Sequence, residues 1–268
     1  MFEPSDSPRI FGSALGVDFA QSLVDGLVAR GQDMSPHEWA RTVIYVNTTR
    51  MQRRIREVFD AGPARLLPRI KLVTDLADDP VSLMVPPAIA PLRRRFELLQ
   101  AIAKLIEQQP DIAPRAALYD LSDSLAKLMD EMQGEGVSPD TIAGLDVSDQ
   151  SGHWARSLEF IKIISAYFGA IQDTPDKESR QRLVVETLAN NWANTPPDHP
   201  IIVAGSTGSR GATALFMQAV AKLPQGAIIL PGYDFDRTES RAAADWDTLA
   251  RVRDAWPGKL VVKGVLDV

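Results

Sequence analysis

Short apolar runs alternate along the chain with longer stretches in which apolar residues recur every three or four positions, a pattern that predicts strands joined by helices. Ile201 to Ala204 is wholly apolar and flanked by turn formers, as expected of a strand buried on both faces. Gly205-Ser206-Thr207-Gly208-Ser209-Arg210-Gly211 follows, offering flexible backbone and hydroxyl caps to a helical run from Ala212 to Leu223. Pro224-Gln225-Gly226 stops that helix, and Ala227 to Leu230 begins another strand. From Pro200 to Asp236 the chain therefore reads as strand, glycine-rich turn, helix and strand.

The same alternation opens the chain. Arg9 to Ser13 predicts a first strand, and Phe19, Leu23 and Leu27 mark a helix capped by Asp18. Thr42 to Val46 predicts a second strand. Asn47-Thr48-Thr49 then supplies caps for a helix whose apolar stripe is Met51, Ile55, Val58 and Phe59, with Arg50, Arg53 and Arg54 on or near its solvent side. Ile70 to Val73 predicts a third strand. From Pro86 to about Trp192 the period is helical throughout. One helix there starts with Arg93, Arg94 and Arg95 and carries Phe96, Leu99, Ala103 and Ile106 on one stripe. A second, from about Ala116 to Gln133, has Leu118, Leu121, Leu125, Leu128 and Met132 on its stripe and Gly134 just past its end. Trp154 to Ile171 marks a long helix, and Leu183 to Trp192 another. Beyond Tyr233 a helix from Ala242 to Arg253 and a strand from Leu260 to Val262 are expected. The arrangement predicts an α/β domain with a parallel sheet, formed by residues 1–85 and 195–268 and interrupted by an all-helical insertion at 86–194.

At 268 residues with 45% hydrophobic content, the chain can bury a core of ordinary size. A net charge of -6 argues against a nucleic-acid coat over the whole surface but leaves room for a local basic face. Arg50, Arg53, Arg54 and Arg93 to Arg95 are the residues for such a face. Cations at a helix N-terminus are disfavoured by the macrodipole, so three in a row point to something outside the helix, the plain alternative being a solvated surface. Cys is absent and only three His are present, none spaced as a ligand pair, which leaves no zinc or iron–sulfur site to propose. Asp75, Asp78 and Asp79 read as a solvent-facing acidic loop, and the adjacent Asp130 and Glu131 diverge by about 100 degrees around a helix, which argues against shared acid–base chemistry. With no signal segment and no apolar run of membrane-spanning length, a cytoplasmic location is expected.

A strand–turn–helix unit has the shape of a phosphate site, because turn amides and a helix N-terminus attract anions. The specific motifs are absent. A P-loop needs a glycine, four residues, then Gly-Lys-Ser/Thr; here five residues separate Gly205 from Gly211, and Ala212 and Thr213 follow without Lys. The spacing of Gly205, Gly208 and Gly211 also departs from the dinucleotide fingerprint. A generic anion site using the amides of Gly205, Ser206, Thr207, Gly208, Ser209 and Gly211 with Arg210 remains open beside the simpler reading of a tightly packed turn.

Several blocks together carry a resemblance: Phe2-Glu3-Pro4 with RIFG and GVDF, LLPRIKLVTDL, LMDEMQGEGV, and VAGSTGSRGATALFMQAVAKLPQGAIILPGYDFD. In this order they resemble the N-terminal region of the AddB family, the alphaproteobacterial double-strand break repair subunits that pair with AddA in a helicase–nuclease. The resemblance implies a helicase-like, degenerate P-loop NTPase fold with 86–194 as its helical insertion. It implies a longer parent chain that continues into a nuclease, so that this one would be an N-terminal fragment. At the positions of the motor's phosphate loop and metal-binding carboxylates, FGSALG and Gly205-Ser206 stand instead. The expectation is a non-catalytic module without a cofactor, contacting DNA ends or an AddA-type subunit through Arg50, Arg53, Arg54 and Arg93 to Arg95. Two rival readings stay open: a degenerate nucleotide-binding protein in which Arg210 replaces the missing Lys, and a structural module that touches only its partner.

Overall fold

The computed structural model describes residues 1–2, 7–138, 141, 175–208 and 211–233. Strands β1 (Ile10–Ala14), β2 (Val43–Val46), β3 (Arg69–Leu72), β4 (Ile201–Ala204) and β5 (Gly226–Tyr233) form one sheet in the order β1-β5-β4-β2-β3. Every pairing is parallel. The described residues thus form an α/β protein built on a five-stranded parallel sheet. β4 is central, between β5 and β2, and it lies in register with β2 from Val43 opposite Ile201 to Val46 opposite Ala204; all eight residues of β2 and β4 are buried. That explains why both read as unbroken apolar runs, since each face of the sheet is covered by helices.

Alternate side chains of these strands feed two cores. Ile44, Val46, Ile202 and Ala204 pack with α1 (Phe19–Arg30), α2 (Pro36–Arg41) and α3 (Thr49–Asp60), whose inward residues include Leu23, Leu27, Trp39, Ile55 and Phe59. Val43, Tyr45, Ile201 and Val203 pack on the other face with α6 (Lys177–Asn194) and α7 (Gly211–Ala221), through Val185, Leu188, Phe216 and Val220. Phe216 meets the Tyr45 ring edge-on with centroids 4.9 Å apart. Aromatic packing of this kind adds about 0.5–1.5 kcal/mol beyond area burial.

Helices α4 (Pro91–Gln108) and α5 (Leu118–Glu135) share a third core of Leu98, Ile102, Ile106, Leu125, Met129 and Met132. α6 falls inside the span expected as an insertion, yet by its contacts it belongs to the layer covering the sheet. Among the described residues no helix is long and apolar enough to cross a membrane.

Strand starts agree with the sequence reading to within a residue, β5 running on to Tyr233, and Asp18 caps α1 as expected, accepting from the Gln21 amide at 3.2 Å. Two helix details differ. The inward face of α4 is Arg94, Leu98, Ile102, Leu105 and Ile106, whereas Phe96 is 56% exposed. Leu98 and Ile102 are wholly buried, and at about 1.5–3 kcal/mol each they outweigh a stripe that includes Ala103. α5 does not stop before Gly134; it runs on to Glu135, and Gly136 adopts the left-handed C-cap conformation with φ of 71°. The expected helices at 154–171 and 242–253 and the expected strand at 260–262 lie outside the described residues.

Candidate functional site

β2 leads through α3 to β3 on one side, while β4 leads through α7 to β5 on the other. The two crossovers also cover opposite faces of the sheet. Their divergence makes the carboxyl ends of β2 and β4 the topological switch point, the edge at which open parallel sheets place ligands. The residues after β2 are Asn47, Thr48 and Thr49; those after β4 begin the glycine turn. Gly205 and Gly208 have φ of 75° and 68°, which bend the turn back toward α7. A Cβ on Gly205 would come 3.2 Å from the Phe19 ring and 3.9 Å from the Met51 side chain, so the turn sits against the first turns of α1 and α3.

Three helices therefore point their N-termini toward this edge, and each is capped from within the chain. At α1 the cap is the Asp18 carboxylate, which also accepts from Arg54 at 2.7 Å. The Arg54 hydrogen bond, aided by the Gln21 amide, holds the Asp18 carboxyl below its ordinary range. Thr48 caps α3, its hydroxyl accepting from the Met51 amide at 3.2 Å. The N-terminus of α7 is met by a residue distant in sequence, because the Gly211 amide donates to Glu135 Oε1 at 3.2 Å. Within the turn the Gly205 amide donates to the Ile229 carbonyl at 3.0 Å, and that of Gly208 to Ser206 Oγ at 3.3 Å. Ser206 is buried, Thr207 is exposed, and Ser209 and Arg210 lie outside the described residues.

The approach of α5 to α7 is backbone against backbone. A Cβ on Gly211 would overlap the Gly134 carbonyl oxygen and lie 2.7 Å from its carbonyl carbon and 2.8 Å from Glu135 Cα. Gly211 is therefore a packing residue, and Gly134 continues the helix so that its carbonyl can reach this contact. On the far side of the junction, a Cβ on Gly136 would meet the Arg182 guanidinium carbon at 2.6 Å. One signal of the contact was present in the sequence: Glu135 places negative charge in the last turn of α5, where the macrodipole disfavours it, and the N-terminus of α7 supplies the missing compensation.

The six arginines are not equivalent. Arg50 and Arg53 are exposed on α3. Arg54 is exposed as well but bridges Asp18 and, at 3.5 Å, Glu57. Arg93 pairs with Glu97 at 2.9 Å one turn along α4, and Arg95 pairs with Asp123 of α5. Arg94 is turned inward, its side chain only 9% exposed between Asp130 at 2.5 Å and Asp176 at 3.3 Å. It also donates to the Ala126 carbonyl at 3.4 Å. Asp176, a residue the sequence did not single out, caps α6 by accepting from the Ser179 amide at 2.9 Å, while its second oxygen faces Arg94 without hydrogen-bond geometry. Burial pushes the Asp176 carboxyl above its ordinary range despite the Ser179 amide and Arg94. An open cleft of about 490 Å³ lies beside this group, lined by Arg94, Arg95, Lys127, Asp130 and Asp176 among others.

Of the acidic groups, Asp75 accepts from the Leu72 amide at 2.8 Å and Asp79 from that of Val81 at 3.1 Å. Both serve as caps of short 3-10 turns. Among the described residues the fold is an open parallel α/β sheet covered on both faces, with helix-terminal amides at its switch point engaged by internal acceptors. No protein-family model matches the chain, and comparison with curated proteins gives no match.

Proposed function

We propose that this chain is a helicase-like module of a double-strand break repair complex of the AddB type, contributing contacts to DNA ends or to an AddA-type subunit and no catalysis of its own. The observation that carries the reading is the junction of α5 and α7. The blocks LMDEMQGEGV and AGSTGSRGAT, which lie far apart in sequence and bear the most specific part of the resemblance, touch at Glu135 and Gly211. A shared spatial contact gives both blocks a common physical reason to take the form they do. In this reading the parallel sheet is a degenerate P-loop NTPase core, the helices between β3 and β4 belong to its insertion at 86–194, and the location is cytoplasmic.

The contact surface is centred on Arg50 and Arg53, which stand exposed near the start of α3. Arg54, Arg93 and Arg95 can join it by exchanging partners, because exposed ion pairs are worth only about 0–1 kcal/mol. Arg94 stays with its internal partners in this reading. The glycine turn serves as scaffold, its Gly205, Gly208 and Gly211 amides being engaged within the chain.

Fluorescence anisotropy with single-stranded and duplex DNA over a salt series tests the DNA reading. Charge reversal at Arg50 and Arg53 is expected to weaken binding and to lower the salt slope by about 0.7–0.9 per lost phosphate contact. Binding that is unchanged by the reversal, or absent altogether while the chain still captures an AddA-type subunit, would reject DNA contact and leave the partner reading.

A further inference from the structure

Between the edge strand β1 and α1 lies a cavity of about 170 Å³, walled by Phe2, Phe11, Leu23, Leu27 and Ile229. Phe2, Leu23 and Leu27 are buried, and the walls are apolar. Apolar cavities of about 150 Å³ hold a benzene ring. Three features distinguish this one from a gap in packing. Ser13 also lines it, and although the residue is only 8% exposed its Oγ has no hydrogen-bond partner. A buried hydroxyl left unpaired is costly, and a ligand atom that bonds it removes the cost. Arg30 stands exposed at the mouth, its guanidinium 4.7 Å from the centroid of the Phe11 ring. One of its donors reaches the Gly26 carbonyl at 3.3 Å, and among the described residues it makes no ion pair. Gly26, finally, lies inside α1, where alanine is the better helix former. Among the described residues a Cβ there would meet only Arg30 Nη1 at 3.5 Å, an ordinary contact. The helix has no need of glycine at this point, whereas the cavity, which Gly26 lines, gains space from it.

We propose that this cavity binds a small aromatic carboxylic acid, its ring against Phe2, Phe11, Leu23 and Leu27, its carboxylate on Arg30 and a para hydroxyl on Ser13 Oγ. Phe11 and Ser13 are two positions apart on β1, about 6–7 Å along the strand, which is the span of a para-substituted ring. Arg30 over Phe11 and the Ser13 hydroxyl thus stand at opposite ends of a ring-sized apolar space. A guanidinium matches the two oxygens of a carboxylate with paired donors, and one of them suffices for a single negative charge. Apolar walls with a few convergent polar groups are the usual form of a small-molecule site. Nothing in this assignment rests on the repair-complex reading, because the cavity lies apart from Arg50, Arg53 and the glycine turn.

The test titrates the full chain with para-hydroxybenzoate, benzoate and para-cresol, followed by calorimetry and by ligand-observed resonance spectroscopy. Saturable binding is expected, tightest for para-hydroxybenzoate and weakest for para-cresol, which lacks the carboxylate. Arg30→Gln is expected to lower the affinity of both acids about tenfold, the scale of one charge-assisted contact, and to leave para-cresol unchanged. Ser13→Ala is expected to weaken para-hydroxybenzoate and to spare benzoate. Thermal unfolding checks that both variants fold, which is expected because Arg30 is exposed and the Ser13 hydroxyl is unpaired. In the unaltered protein, absence of saturation by all three probes at millimolar concentration overturns the proposal, as do acids that bind no tighter than para-cresol. Binding that neither substitution alters overturns it as well, since the probes then occupy another place.

Discussion

The α-carbon of Gly211 faces the carbonyl of Gly134 with no space between them for a methyl group, although the two residues belong to different helices and only one of them depends on being glycine. At Gly134 an added Cβ would meet nothing within 4 Å. The asymmetry separates two uses of glycine that look alike in sequence: one permits backbone contact, the other merely tolerates a missing side chain.

Gly211→Ala is expected to destabilise the protein by about 1–3 kcal/mol, the usual cost of overpacking a site whose neighbours are backbone. Gly134→Ala is expected to stabilise it by about 0.5–1 kcal/mol, because alanine replaces glycine inside a helix with open space around it. Urea unfolding of the two variants beside the parent protein decides the matter. Equal effects at the two positions would contradict the packing described.

Arg94 supports a different prediction. Its guanidinium holds the buried Asp176 and the half-exposed Asp130, so Arg94→Met leaves Asp176 charged and without its counterion. Breaking a buried pair from one side costs about 3–5 kcal/mol. Adding Asp176→Asn to that variant removes the stranded charge and is expected to restore a large part of the loss. A double-mutant cycle by chemical denaturation measures the coupling, and simple additivity of the two substitutions would show that the pair is not coupled as drawn.

The strands were legible because burial on both faces demands an unbroken apolar run, as in Val43 to Val46 and Ile201 to Ala204, and few other local patterns mimic it. Caps within one helix were legible too: Asp18 and Thr48 lie next to the amides they serve. The rest depended on contacts between distant segments. Arg94 reads as a surface cation until Asp130 and Asp176 arrive from two other helices, and its burial rotates the inward face of α4 away from Phe96. The same limit applies to the glycine turn, where counting residues removed the nucleotide motifs but could not show that a carboxylate from α5 stands at Gly211.

At Arg50 and Arg53 the expected signature is electrostatic, with no cost in fold. Both side chains are exposed, so Arg50→Ala and Arg53→Ala are expected to change stability by no more than about 0.5 kcal/mol. Thermal unfolding checks this directly. A loss of several kcal/mol at either position would place the side chain in a structural role and remove it from the proposed contact surface.

Two carboxylates give opposite pH responses, and their comparison tests the electrostatics most sharply. Asp198 is exposed and hydrogen-bonded to Arg41 at the surface, with His199 beside it, and these partners lower its pKa from 3.8 to about 2. A carboxyl whose folded pKa is depressed contributes stability that is present above pH 3.8 and is lost as pH falls through about 2. Asp176 is shifted the other way from 3.8 by burial, so its contribution is fullest below pH 3.8 and declines as pH rises through the folded value. Relative to Asp198→Asn, the parent protein should therefore gain stability with rising pH. Relative to Asp176→Asn, it should lose stability over the window that begins near pH 3.8 and extends upward. Denaturation midpoints of the three proteins across the acid range read both slopes, and a common sign for the two differences would overturn the assignment of Asp176 to a buried, undercompensated site.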